Sequence, residues 1–301
     1  MLNRRHFLAL SSLPFLSGIM NAQNINQLML ERPIPSSGRK IPVIGLGTSR
    51  VFDIEPKQEL LNIRKNILDV FYSNGGRLID TSPMYGMSEE IIGLSAKKYI
   101  KENQFFLATK VWTEGEESGV RQIEESFQKM KTNKVDLIQV HNLLDWKKQI
   151  KTLRSLKEQG RIDYIGITHY KSSAFDEMIK IMQMEEIDFA QFNYSLGERE
   201  AEKKLLPFCK ENGIATLINR PFMRGRLFRE TQNRILPEWC SELEIASWGQ
   251  FFLKFILAND GVTNIIPATS KPKNMLDNAS AGFGSMPDKA MIKKMLGVLE
   301  F

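Results

Sequence analysis

Asp80, Tyr85, Lys110 and His141 stand where apolar runs stop, or in the turn just after one, within "LIDTSPMYG", "FFLATK" and "DLIQVHN". Charged groups at the ends of buried runs are costly to desolvate unless they are paired. Together these four side chains could do acid–base chemistry. Asp80 and Lys110 can neutralise each other. A cation beside the Tyr85 phenol favours its charged form and lowers a pKa that is ~10 in the free residue. A phenol tuned that way can give a proton to a carbonyl oxygen as negative charge develops there. His141 can hold and orient the same oxygen by a hydrogen bond. Such an acid needs a reductant on the other side of the carbonyl, and no side chain supplies hydride, so a nicotinamide is implied. Pro83 and Gly86 shape the intervening turn, and Ser88 is placed to N-cap the helix that follows.

The elements that must position these residues form a regular series. Apolar runs of strand length occupy residues 43–47, 77–79, 105–109, 135–140, 164–168, 189–192, 214–218 and 263–266. Between them lie stretches of helical period over residues 56–73, 119–131, 147–159, 172–184, 200–212 and 240–259. Strand and helix alternating eight times, with strands buried on both faces, predicts a (β/α)8 TIM barrel. "RPIPSSGRKIPVIGLG" adds an N-terminal β-hairpin leading into the first strand. A doubly wound sheet would carry G-x-G-x-x-G after its first strand, whereas Gly45-Leu46-Gly47 has no third glycine. In a barrel the strand ends share one mouth, so Asp80, Lys110, His141, His169 and Gln191 would face one cavity.

Composition narrows the class further. The chain has 301 residues, 42% hydrophobic and 25% charged, with a net charge of +6 spread in short pairs rather than one patch. That balance fits a globular protein and argues against nucleic-acid binding. Residues 1–22 differ: Arg4-Arg5, a mostly apolar run to Met20 and a small residue at Ala22 have the layout of an export signal, resembling the twin-arginine type. Residues 23–301 read as one barrel domain, a monomer exported to a bacterial periplasm and without a membrane span. Cys209 and Cys240 are expected to be bystanders, and no Cys/His cluster suggests a metal. A zinc hydrolase using Asp80, His141 and His169 would leave Tyr85 and Lys110 without a role.

Asp80, Tyr85, Lys110 and His141, at intervals of 5, 25 and 31 residues, resemble the catalytic tetrad of the aldo-keto reductase superfamily. The likeness runs through "IGLGTS", "DTSPMYG", "ATKVW", "VHN", "IGITHY", "QFNYS" and "IPATSKPKNMLDN". It implies carbonyl reduction in which Tyr85 is the general acid and NADPH, lying across the barrel mouth, delivers hydride. NADH, or use of both, stays open because Asn274 replaces a common Arg or His. It also implies that Gln191, with Thr168 and His169, binds the nicotinamide carboxamide. Asn219 or Arg220 stands where a stacking Tyr is usual. Thr269, Ser270 and Lys271 would take the adenosine 2′-phosphate, and Asn278 would face the adenine. Trp112 is expected to line a pocket for a small carbonyl substrate. Some members of the superfamily sense cofactor without catalysis, which is the alternative the resemblance leaves open.

Overall fold

A computed structural model describes residues 28–299. The export-signal reading of residues 1–22 lies outside the described residues. The strands are β1 (Glu31–Pro33), β2 (Lys40–Pro42), β3 (Leu46–Gly47), β4 (Leu78–Asp80), β5 (Phe106–Val111), β6 (Val135–His141), β7 (Ile162–His169), β8 (Phe189–Asn193), β9 (Ala215–Asn219) and β10 (Asn264–Ile265). The helices are α1 (Gln58–Ser73), α2 (Ser88–Ser95), α3 (Lys97–Lys101), α4 (Glu116–Met130), α5 (Trp146–Glu158), α6 (Phe175–Met184), α7 (Leu205–Glu211), α8 (Arg226–Glu230), α9 (Trp248–Leu257), α10 (Pro272–Ser280) and α11 (Lys289–Leu296). No helix among the described residues is long and apolar enough to cross a membrane.

β1 and β2 pair as an antiparallel hairpin. β3 to β10 run parallel in chain order, each beside the next. Parallel bridges from Ile44 to Ile265 and from Gly47 to Ala268 close the sheet on itself. The seam is tight, with Gly45 N–H donating to Ile265 O at 2.7 Å and Ile265 N–H donating to Val43 O at 2.9 Å. A Cβ on Gly47 would sit 2.7 Å from the Ile266 carbonyl, and one on Gly45 would sit 2.6 Å from Asn264 Oδ1. The two glycines of "IGLG" are therefore spent on closing a barrel.

Strand alternation sorts the interior into layers. Inward positions at the N-terminal end are apolar: Leu78, Phe106, Leu137, Tyr164, Phe189 and Leu217 pack together, and Ile34 and Ile41 of the hairpin region join them as a floor. The same inward rows end in Asp80, Lys110, Gln139, His141, Thr168 and Gln191, nearly all of them buried. A polar layer on an apolar plug is what the barrel presents at its C-terminal mouth.

Three local expectations are corrected. Ser88 is the first residue of α2 and caps nothing; Met87 holds the cap position, and Asp53 Oδ1 accepts its N–H at 3.0 Å. The stretch 240–259 is two elements: a 3-10 turn, Glu238–Leu243, ends at Glu244 with φ 55°, and α9 starts afresh behind Ser247, whose Oγ accepts from Gln250 N–H at 3.0 Å. Residues 200–212 are likewise split, into a 3-10 turn over Glu200–Glu202 and α7. A side-chain cap overrides apolar periodicity in α9.

Candidate active site

Asp80 ends β4 and Lys110 lies on β5, and both are almost completely excluded from solvent. Lys110 Nζ donates to Asp80 Oδ1 at 2.8 Å, to Asp80 Oδ2 at 2.7 Å and to Thr81 O at 2.7 Å, and it also hydrogen-bonds the Tyr85 phenol. Asp80 Oδ1 also accepts from Gln139 Nε2 at 3.1 Å and from Gln191 Nε2 at 2.8 Å. One carboxylate thus collects donors from β5, β6 and β8. Burial opposes charge on Lys110, but the Asp80 carboxylate outweighs it, and the ammonium is held above its ordinary pKa. Gly166 on β7 leaves room for this arrangement, because a Cβ there would sit 2.8 Å from Gln139 Cγ.

Above the pair, Tyr85 is half-buried, with Lys110 Nζ 5.0 Å from its ring centroid. The His141 ring meets it edge-on at 88° with centroids 5.8 Å apart. Both border a cavity of about 680 Å³, walled also by Arg50, Asn142, Tyr170, Asn219, Arg220 and Arg224. That is the size expected of a small-molecule site. The phenol departs from expectation in one respect. Burial pushes its pKa up, and the charge of Lys110 only partly offsets this, so the net direction is upward. Desolvation beats a cation that is itself neutralised by Asp80. Tyr85 is thereby kept protonated, which is the form an acid needs.

Burial, helped by the Lys110 charge, lowers the His141 pKa to about 3. A lowered histidine pKa means that the fold favours the neutral ring, so His141 does not titrate near its ordinary 6.5. With Tyr85 protonated through the same range, kcat for reduction is expected to stay flat from about pH 5 to about pH 8. A pH profile with a limb near the ordinary histidine value would show that the ring takes up a proton in the working enzyme.

The remaining expected contacts separate into two groups. Thr168, Gln191, Asn219 and Arg220 border the cavity. Gln191 is already engaged at both ends of its amide, accepting from Thr168 Oγ1 at 3.2 Å and donating to Asp80. His169, next to Thr168 on β7, is half-buried and not part of the cavity wall, its Nδ1 accepting from Lys171 N–H at 3.0 Å, while Tyr170 lines the wall. Trp112 is 39% exposed with its ring 6.4 Å from that of His141, at the rim and outside the wall. Thr269, Ser270 and Lys271 lead from Ala268 of the cavity wall into α10 and do not themselves line the cavity, with Ser270 and Lys271 exposed. Asn278 is buried, with its Oδ1 near Gly249 of α9.

Sequence reasoning missed Gln139, Arg50 and Tyr170. Gln139 sits two residues before His141 on β6, so strand period alone places it on the inward row. Arg50 lies beyond the first strand, where a loop carries no periodic signal. Arg50, Arg220 and Arg224 share the cavity wall, and none makes an ion pair with a described carboxylate. Arg220 instead lies over the Tyr170 ring at 4.0 Å. Asn219 Oδ1 is buried with no partner.

Residues 43–294 match the family model described as Aldo/keto reductase family. Aldo-keto reductase YhdN of Bacillus subtilis is 30% identical over 214 residues, which is 64% of this chain and 62% of that protein. Glyoxal reductase of the same organism is 27% identical over 249 residues, covering 81% of this chain and 84% of its own. Among solved structures, an aldo-keto reductase from Klebsiella pneumoniae in complex with NADPH superposes with a TM-score of 0.75 at 19% identity, covering 90% of this chain and 95% of that one.

Proposed function

The chain belongs to the aldo/keto reductase family and is an NAD(P)H-dependent oxidoreductase, and from that premise we propose that it reduces an aldehyde or ketone to the alcohol with NADPH, Tyr85 giving the proton. One observation carries the reading: the Tyr85 phenol and the His141 imidazole border an open cavity directly above a buried Lys110–Asp80 pair. Tyr85 protonates the carbonyl oxygen. His141 holds that oxygen by a hydrogen bond. Lys110, fixed by Asp80 and Thr81, stabilises the phenolate left behind, so the proton leaves at lower cost.

When bound, the cofactor supplies hydride to the carbonyl carbon. The chain's own residues suit it. Arg50, Arg220 and Arg224 offer unpaired guanidiniums to phosphate oxygens, which they can engage bidentately. Asn219 Oδ1 offers an unsatisfied acceptor to an amide N–H. Gln191 is spent on Asp80, so we assign it to holding the carboxylate and Asn219 to the carboxamide. Thr269, Ser270 and Lys271, at the start of α10, suit a further phosphate.

The test is NADPH oxidation by purified protein, with NADH in parallel, over glyoxal and a panel of simple aldehydes and ketones. Glyoxal is the first choice because a relative bears its name. Turnover of at least one carbonyl is expected. Tight NADPH binding with no turnover on any of them would sink the catalytic reading.

A further inference from the structure

Ser82 looks like a turn former, and its carbonyl does accept from Tyr85 N–H at 3.0 Å. Its hydroxyl does something else. Ser82 is fully buried, and its Oγ lies 3.0 Å from His141 Nδ1. The same Oγ accepts from Met84 N–H at 3.2 Å. A serine hydroxyl has one proton to give, and Met84 N–H takes only a lone pair, so that proton is free to go to Nδ1.

We propose that Ser82 is a positioning residue that fixes His141 as the tautomer with its proton on Nε2, so that a donor faces the substrate oxygen. A neutral imidazole carries one N–H. If Nδ1 accepts, Nε2 donates. The opposite tautomer would turn a bare lone pair on the carbonyl oxygen and repel it. Burial keeps the ring neutral, which makes the choice of tautomer decisive. Ser82 also joins the two groups that would touch that oxygen: its carbonyl holds the Tyr85 backbone and its hydroxyl holds the His141 ring. The inference deepens the reductase reading and rests on it.

The experiment is 15N NMR of histidine-labelled protein, paired with steady-state kinetics. Three histidines in the chain keep the spectrum simple. Unaltered protein is expected to show His141 as a single tautomer with Nε2 protonated. Ser82→Ala should give a mixture of tautomers and lower kcat by about 10- to 100-fold, short of deleting an oxyanion donor outright, with the affinity for NADPH unchanged. Ser82→Thr, which keeps a hydroxyl, should restore the single tautomer and most of kcat. An Nδ1-protonated ring in the unaltered protein overturns the proposal. So does a Ser82→Ala spectrum that does not move, or one that moves while kcat does not. Unaltered protein that reduces no carbonyl overturns the reductase reading, while the spectrum still decides whether Ser82 fixes the ring, so the two failures are told apart.

Discussion

Tyr85→Phe is expected to lower kcat for carbonyl reduction by about 10²- to 10⁴-fold, the usual worth of a positioned general acid, with NADPH affinity nearly unchanged. The substitution removes one oxygen and keeps the ring that meets His141 edge-on. Lys110 gives up its hydrogen bond to the phenol and keeps its contacts to Asp80 and Thr81. The variant should therefore fold and melt like the parent, and the loss should appear in kcat. Stopped-flow NADPH oxidation at saturating carbonyl reads it directly. A Phe variant within about tenfold of the parent would mean that water or His141 supplies the proton.

Lys110→Met should be the most damaging single change to stability. It leaves the Asp80 carboxylate buried with two glutamine donors and no cation. Removing one partner of a buried ion pair costs roughly 3–5 kcal/mol, because the other charge stays uncompensated. For a chain of this size that is a fall in Tm on the order of 10 °C. Activity should vanish with it. The double variant Asp80→Asn, Lys110→Met buries no charge and keeps an amide for Gln139 and Gln191 to meet. It should recover much of the lost Tm and none of the activity, since Tyr85 still lacks its cation. Calorimetry of the three proteins gives the order: parent, double, single. A single variant that melts with the parent would show that the pair contributes nothing to the fold. An active double variant would show that the phenol needs no cation.

The barrel and the tetrad were legible because each depends on a strong local signal. Apolar runs such as "FFLATK" and "DLIQVHN" carry the strands, and a polar residue at the end of a buried run marks the mouth. The direction of the Tyr85 shift was not legible. It depends on how much water the folded mouth leaves around the phenol, and no sequence spacing reports that. Which of Thr168 and His169 lines the cavity was not legible either, because one step along a strand reverses a side chain. Nor was the burial of Asn278, because a helix's rotation about its axis is set by what it packs on, here α9. Gln139 was within reach, since counting back two residues from His141 finds it.

Asp80 and Lys110 help tie four strands of the barrel together, β4, β5, β6 and β8, as well as serving the phenol. A descendant of this chain that gave up catalysis would still be under pressure to keep them, because losing either one unpairs a buried charge. Tyr85 carries no such insurance: its bond to Lys110 can be lost without unpairing a charge, so it would drift as soon as turnover stopped mattering. The phenol, more than the ion pair beneath it, is the mark of a barrel still selected for its chemistry.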